Sequence, residues 1–101
     1  MSVLTLEALD AKRTRVARVM KTLGHPARLR IVELLLENGP MPVKDIFAAV
    51  LISQSNASQH LKALESLNLL SSTRSGKQML YEIANPSLAN LLACVDKCVD
   101  C

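Results

Sequence analysis

A mainly α-helical fold with one small β-hairpin is what this 101-residue sequence predicts, on three observations. Half of the residues are hydrophobic, yet the only aromatics are Phe47 and Tyr81, so the core must be aliphatic and rich in the helix formers Leu and Ala. Breaks at Gly24, Gly39-Pro40, Pro42, Ser75-Gly76 and Asn85-Pro86 cut the chain into short pieces, most with apolar residues at helical spacing. After Asn68 the apolar period changes from that of a helix to that of a strand, for two runs only. The length suits one domain over residues 1–101, in the range where dimerisation often adds to the core.

Residues from about 6 to 22 place Leu6, Leu9, Val16, Val19 and Met20 among Lys12, Arg13, Arg15, Arg18 and Lys21, a basic amphipathic helix with a solvated charged face. His25-Pro26 opens a second helix, with Pro in the first turn where its missing N–H does no harm. Leu29, Ile31, Val32, Leu34, Leu35 and Leu36 form its buried side, and Asn38-Gly39 closes it. His25 is most simply a helix-entry residue.

A short third helix from Pro42 to Val50 turns Val43, Ile46 and Phe47 inward. Leu51-Ile52-Ser53-Gln54 is too short for an element and reads as a tight turn, with Ser53 as the N-cap of the next helix. That fourth helix, Gln54 to about Asn68, has an apolar stripe of Ala57, Leu61, Leu64 and Leu67 opposite a polar stripe of Ser55, Ser58, Gln59 and Lys62, flanked by Asn56 and His60. A short helix, a tight turn and a helix with hydroxyls, amides and a Lys outward is what a helix-turn-helix reader of the DNA major groove requires. Asn and Gln pair with adenine edges, Ser with several acceptors, and Lys with guanine or phosphate. His60 is placed near DNA or solvent, having no Cys or carboxylate at helical spacing.

Leu69–Arg74 and Gln78–Ile83 read as two strands joined through Ser75-Gly76-Lys77, with Arg74 and Lys77 at the tip. Such a hairpin directly after a reading helix is a wing that leans on the phosphate backbone. Pro86 is expected to start the last helix, with Leu88, Leu91, Leu92, Val95 and Val99 inward.

A net charge of +3 permits a nucleic-acid partner without demanding one, and the lack of Trp removes a stacking platform for single strands. No apolar run approaches the roughly 20 residues of a membrane span, and no signal core follows a basic N-terminal flank, so a cytoplasmic protein with no membrane partner is expected. No His, Asp and Cys stand in a mutually activating motif and no Gly-rich phosphate loop exists, which argues against an enzyme and against an organic cofactor.

All three cysteines, Cys94, Cys98 and Cys101, fall in the last eight residues, on one side of the last helix at i, i+4 and i+7. An odd number crowded at one end is a poor disulfide framework. On a helical wheel the apolar stripe lies roughly 100° from them, so the thiols flank the inward face and are partly accessible. Three thiolates suit a thiophilic centre such as As(III), Sb(III), Cd(II) or Pb(II). Two alternatives stand beside that reading: reversible oxidation or polysulfide chemistry between Cys94 and Cys98, and plain burial as small hydrophobes.

The whole order resembles the ArsR/SmtB family of small dimeric winged-helix repressors. The resemblance is carried by Leu23-Gly24-His25-Pro26-Ala27-Arg28-Leu29-Arg30-Ile31, by Ser53-Gln54-Ser55-Asn56-Ala57-Ser58-Gln59-His60-Leu61-Lys62-Ala63-Leu64 and by the Gly76 to Tyr81 wing. It implies a homodimer joined through the first and last helices, bound to palindromic double-stranded operator DNA and released by an effector. Mapped onto this chain, the DNA contacts would come from Ser53, Gln54, Ser55, Asn56, Ser58, Gln59, His60, Lys62, Arg74 and Lys77. The chain departs from the family in two places. Leu51 stands where the turn usually has Gly, so either the backbone avoids a positive φ or Leu carries a steric cost. Pro42-Val43-Lys44 occupies a frequent thiol position, the reading helix holds no Cys, and the last helix has Asp96 and Asp100 but no His, which argues against a zinc sensor of the known type. The remaining effector site is Cys94, Cys98 and Cys101, with As(III) or another thiophilic ion as effector. A different class, a winged-helix module that binds protein and not DNA, also fits the elements.

Overall fold

The structure is a computed structural model and describes residues 5–100; Cys101 lies outside the described residues. The elements run α1 (Leu6–Leu23), α2 (Pro26–Asn38), β1 (Met41–Pro42), α3 (Val43–Val50), α4 (Gln54–Ser66), β2 (Leu70–Ser75), β3 (Gln78–Ile83) and α5 (Leu88–Asp100). Most boundaries follow from capping chemistry. Thr5 accepts the Ala8 N–H at 3.2 Å to start α1, with Glu7 in the first turn and Lys21 in the last, each at the helix end whose dipole it complements. At α2 the cap is His25, whose Nδ1 accepts the Ala27 N–H at 3.2 Å, and Pro26 follows in the first turn.

Pro42, expected to begin the third helix, instead lies in a strand. It has φ −72° and ψ 152°, and β1 pairs antiparallel with β3, Met41 opposite Tyr81 and Pro42 opposite Leu80. The sheet therefore has three strands in the order β1-β3-β2, one more than the hairpin alone. A Pro, with no N–H to donate, is tolerated there because β1 is an edge strand. In the hairpin Ser75 pairs with Gln78, so β2 runs one residue further than expected and the loop is only Gly76-Lys77. Gly76 has φ 62°, which a residue without Cβ adopts freely.

The last helix starts two residues later than expected. Asn85 Oδ1 accepts the Ser87 N–H at 3.0 Å and the Asn85 carbonyl accepts the Leu88 N–H at 3.1 Å, so Pro86-Ser87 is a turn feeding the helix.

Leu51 settles the first departure from the family. It closes α3 in the left-handed conformation, φ 57° and ψ 47°, and its side chain is 89% exposed, so no packing offsets the clash of its Cβ with the backbone. Leu51→Gly is expected to stabilise the protein by up to about 1 kcal/mol, the αL penalty less the extra chain entropy of Gly, read as a higher urea midpoint at unchanged m.

One aliphatic core joins the elements. Leu23 of α1, Ile31, Val32 and Leu35 of α2, Ile46 and Val50 of α3, Leu61 and Leu64 of α4, Leu70 of β2, Tyr81 of β3, and Leu88 and Leu92 of α5 meet in it. Of the expected inner stripe of α5, only Leu88 and Leu92 are buried. Val95 and Val99 are 44% and 77% exposed, as are Leu6 and Met20 on α1 at 78% and 60%.

Candidate nucleic-acid interface and thiol cluster

The reading helix α4 is anchored on one side and open on the other. Ala57, Leu61 and Leu64 are each 0% exposed, while Ser55, Gln59 and Lys62 are exposed and Ser58 is half-buried. Ser53 Oγ accepts the Asn56 N–H at 3.2 Å and lies 3.3 Å from Ser55 Oγ, so this hydroxyl serves the helix start as well as the surface. Asn56 and Gln54 are exposed beside it.

Gln54 and Ser58 also border a cleft of about 330 Å³ whose far wall is the wing, with Lys77, Gln78 and Met79, and whose end is Pro42, Val43 and Lys44 at the entry to α3. Lys44 is a cation that sequence reasoning did not select. Its signal was weak, a lone Lys in the first turn of a short helix; the fold turns it toward the reading helix and the wing. Lys77 sits in the two-residue turn, while Arg74, exposed, pairs with Met79 one step before it.

Two polar nodes hold α4 in place. At its C-terminal end Glu65 accepts from Ser72 Oγ at 2.6 Å and from Tyr81 Oη at 3.5 Å, which fastens the helix to both strands of the wing. Burial, then the Glu65 carboxylate, hold the Tyr81 phenol above its usual range. In the middle of the helix His60 turns inward. Its Nδ1 accepts from Arg28 Nε at 3.0 Å and its ring lies 4.4 Å from that of His25. His60, expected near DNA or solvent, is half-buried, and its partner comes from α2, beyond reach of helical spacing.

On α5, Cys94 and Cys98 are both free and exposed. At i and i+4 their Cβ atoms are about 5 to 6 Å apart. Among the described residues no group of three or more His, Cys, Asp or Glu side chains comes together to hold a metal ion. A three-thiol site would therefore require Cys101, outside the described residues, or a thiol from a second chain. Beside the thiols, Met20, Leu23, Gly24, Leu29, Leu91, Leu92 and Val95 line an apolar groove of about 190 Å³ between α1, α2 and α5. Among the described residues no helix is long and apolar enough to cross a membrane.

A short helix, a tight turn, a helix anchored on one side and polar on the other, and a cationic β-wing together define a winged helix-turn-helix DNA-binding domain. The sequence profile described as "Bacterial regulatory protein, arsR family" matches residues 25–72. An uncharacterised HTH-type transcriptional regulator of Mycobacterium tuberculosis is 41% identical over 81 residues, 80% of this chain and 71% of its own. The biofilm growth-associated repressor of Agrobacterium fabrum is 34% identical over 87 residues, covering 86% of this chain and 74% of its own. In structure, a homodimeric winged helix-turn-helix DNA-binding domain from Mycobacterium bovis superposes with TM-score 0.84 at 34% identity, over 99% of this chain and 91% of that one. The chain belongs to the ArsR family of bacterial transcriptional regulators, a family of DNA-binding proteins and not of enzymes.

Proposed function

We propose that this chain represses transcription by binding operator DNA as a homodimer, and that it is released when a thiophilic centre, foremost As(III), binds the thiols of α5. The observation that carries the effector half is the pair of exposed thiols, Cys94 and Cys98, one turn apart on a helix whose Val95 and Val99 stand exposed. A second copy, packing α1 and α5 against their equivalents, would cover those valines together with Leu6 and Met20. Two reading helices would then face half-sites about 34 Å apart, one turn of DNA. Ser55, Asn56, Ser58, Gln59 and Lys62 would meet base edges, while Lys44, Arg74 and Lys77 would meet phosphates.

Binding of As(OH)3 would replace each hydroxide by a thiolate, the thiol proton leaving with it as water. Cys94 and Cys98 supply two ligands and Cys101, or a thiol of the partner chain, the third. Drawing them together distorts the end of α5 inside the dimer interface and changes the separation of the reading helices. A coupling of about 1 to 3 kcal/mol changes occupancy roughly 5- to 150-fold.

A redox reading rests on the two thiols alone. Their separation of about 5 to 6 Å exceeds the roughly 3.8 Å Cβ distance of a disulfide, so a bridge with inserted sulfur atoms, formed as polysulfide is reduced, fits the helix better than a direct bond. Fluorescence anisotropy of an operator fragment separates the two. Release by arsenite at one equivalent per chain, lost in Cys98→Ser with DNA affinity intact, is expected. Release only by polysulfide, reversed by dithiothreitol, would replace the metalloid by the redox reading, and loss of DNA binding in Cys98→Ser would overturn both.

A further inference from the structure

We propose that Arg28 and His60 form a joint that positions the reading helix against the end of α1, and that protonating His60 opens the joint and weakens operator binding. This rests on the reading of α4 as the helix that meets DNA. One guanidinium makes both halves of the joint. Arg28, in the first turn of α2, donates from Nη1 to the Thr22 carbonyl near the end of α1 at 3.1 Å, and from Nε to His60 Nδ1 on α4 at 3.0 Å. The guanidinium fork is rigid, so fixing one of these bonds fixes the direction of the other. A helix proposed for the dimer interface and the helix proposed to read DNA are thereby tied through a single side chain.

The joint demands a particular protonation state. Because Arg28 can only donate, His60 Nδ1 must be the unprotonated acceptor nitrogen of a neutral imidazole. Adding a proton there sets N–H against N–H and puts two cations in contact. The ring of His25 lies 4.4 Å away at 58° to that of His60, and its Nδ1 accepts the Ala27 N–H that starts α2.

Burial, then His25, then Arg28 act on His60, and all three favour the neutral ring, holding its pKa below 6.5. The titratable and charged groups in that set are His25 and Arg28, at the entry and in the first turn of α2; α1 brings the neutral Thr22 carbonyl through Arg28. The sign follows. A basic group with a lowered pKa in the joined state binds fewer protons there than when released, so the joint is intact above pH 6.5 and is lost as pH falls through the lowered value. A His60 that touched phosphate directly would give the opposite sign, with affinity rising as the imidazolium forms.

The test measures operator-fragment affinity of the full chain by anisotropy at fixed salt, from about pH 8 to about pH 5.5, in the wild type, Arg28→Lys and His60→Gln. Gln offers an amide oxygen to Arg28 and does not titrate. Between the alkaline and the acid end the wild type is expected to lose about fivefold more affinity than His60→Gln, the worth of one hydrogen bond. Arg28→Lys, which cannot span both acceptors, is expected to bind about fivefold more weakly at the alkaline end and to lack the extra acid loss. Without DNA, amide protection of α4 relative to α3 is expected to drop in Arg28→Lys and to hold in His60→Gln.

Equal affinity and protection in Arg28→Lys and wild type, or a wild-type affinity that rises in acid relative to His60→Gln, would overturn the joint. Loss of α4 protection in a set of proteins that bind no DNA at all would keep the joint and strike the DNA reading instead.

Discussion

Leu61→Ala is expected to lower the free energy of unfolding by about 2 to 5 kcal/mol, a large share of the roughly 5 to 15 kcal/mol that holds such domains folded. The Leu61 side chain is 0% exposed, at the centre of the only apolar stripe of α4, between Ala57 and Leu64, which are also fully buried. Truncation leaves a cavity between α4 and the core that α2 and α3 share with it, and close-packed walls refill such a space only in part. Urea unfolding at one fixed protein concentration for all variants measures the effect. Lys62→Ala, on the exposed face one residue away, is the control and is expected within about 0.5 kcal/mol of the wild type. A loss below about 1 kcal/mol for Leu61→Ala would mean that α4 is not held by this stripe.

The second large effect is on DNA and leaves the fold intact. Gln59→Ala combined with Lys62→Ala is expected to weaken specific operator binding by about 1 to 3 kcal/mol for each base edge that is no longer read. If Lys62 meets a phosphate, the slope of log affinity against log salt falls by about 1 as well. Both side chains are exposed, so the thermal midpoint is expected to stay within a few degrees of the wild type. Anisotropy with operator and with scrambled DNA at two salt concentrations gives both numbers. Unchanged affinity and slope would move the protein to the class of winged-helix modules that bind protein partners.

Much of this molecule is legible in its sequence. The 3.6-residue stripe of Ala57, Leu61 and Leu64, the Ser53 cap and the paired strands around Gly76 are local features, written in residues less than a few turns or one hairpin apart. What escapes is non-local or contested between two local preferences. Pro42 reads equally as the first residue of a helix or as the end of an edge strand, and its pairing with Leu80 across 38 positions decides for the strand. Pro86 is as good a turn former as a helix starter, and the Asn85 side chain, by capturing the Ser87 N–H, favours the turn. Spacing along its own helix is all that places His60 in the sequence, and it says nothing of an Arg 32 positions earlier.

Of the candidate site, the polar face of α4 and the exposure of Cys94 and Cys98 follow from helical geometry alone, because a side chain's angle about its axis depends only on its position. Residue pattern thus suffices for the fold class, the polar-faced helix α4, the hairpin and the face that carries Cys94 and Cys98. Folding in three dimensions adds that Leu51 takes the left-handed turn, that Lys44 joins the wing across a cleft, that Glu65 clamps helix to sheet, and that Arg28 ties α1 to α4 through His60. The difference is physical. Helical periodicity and caps act over a few residues and are set by local sterics, whereas these bonds join groups whose distance exists only once the aliphatic core has brought their elements together.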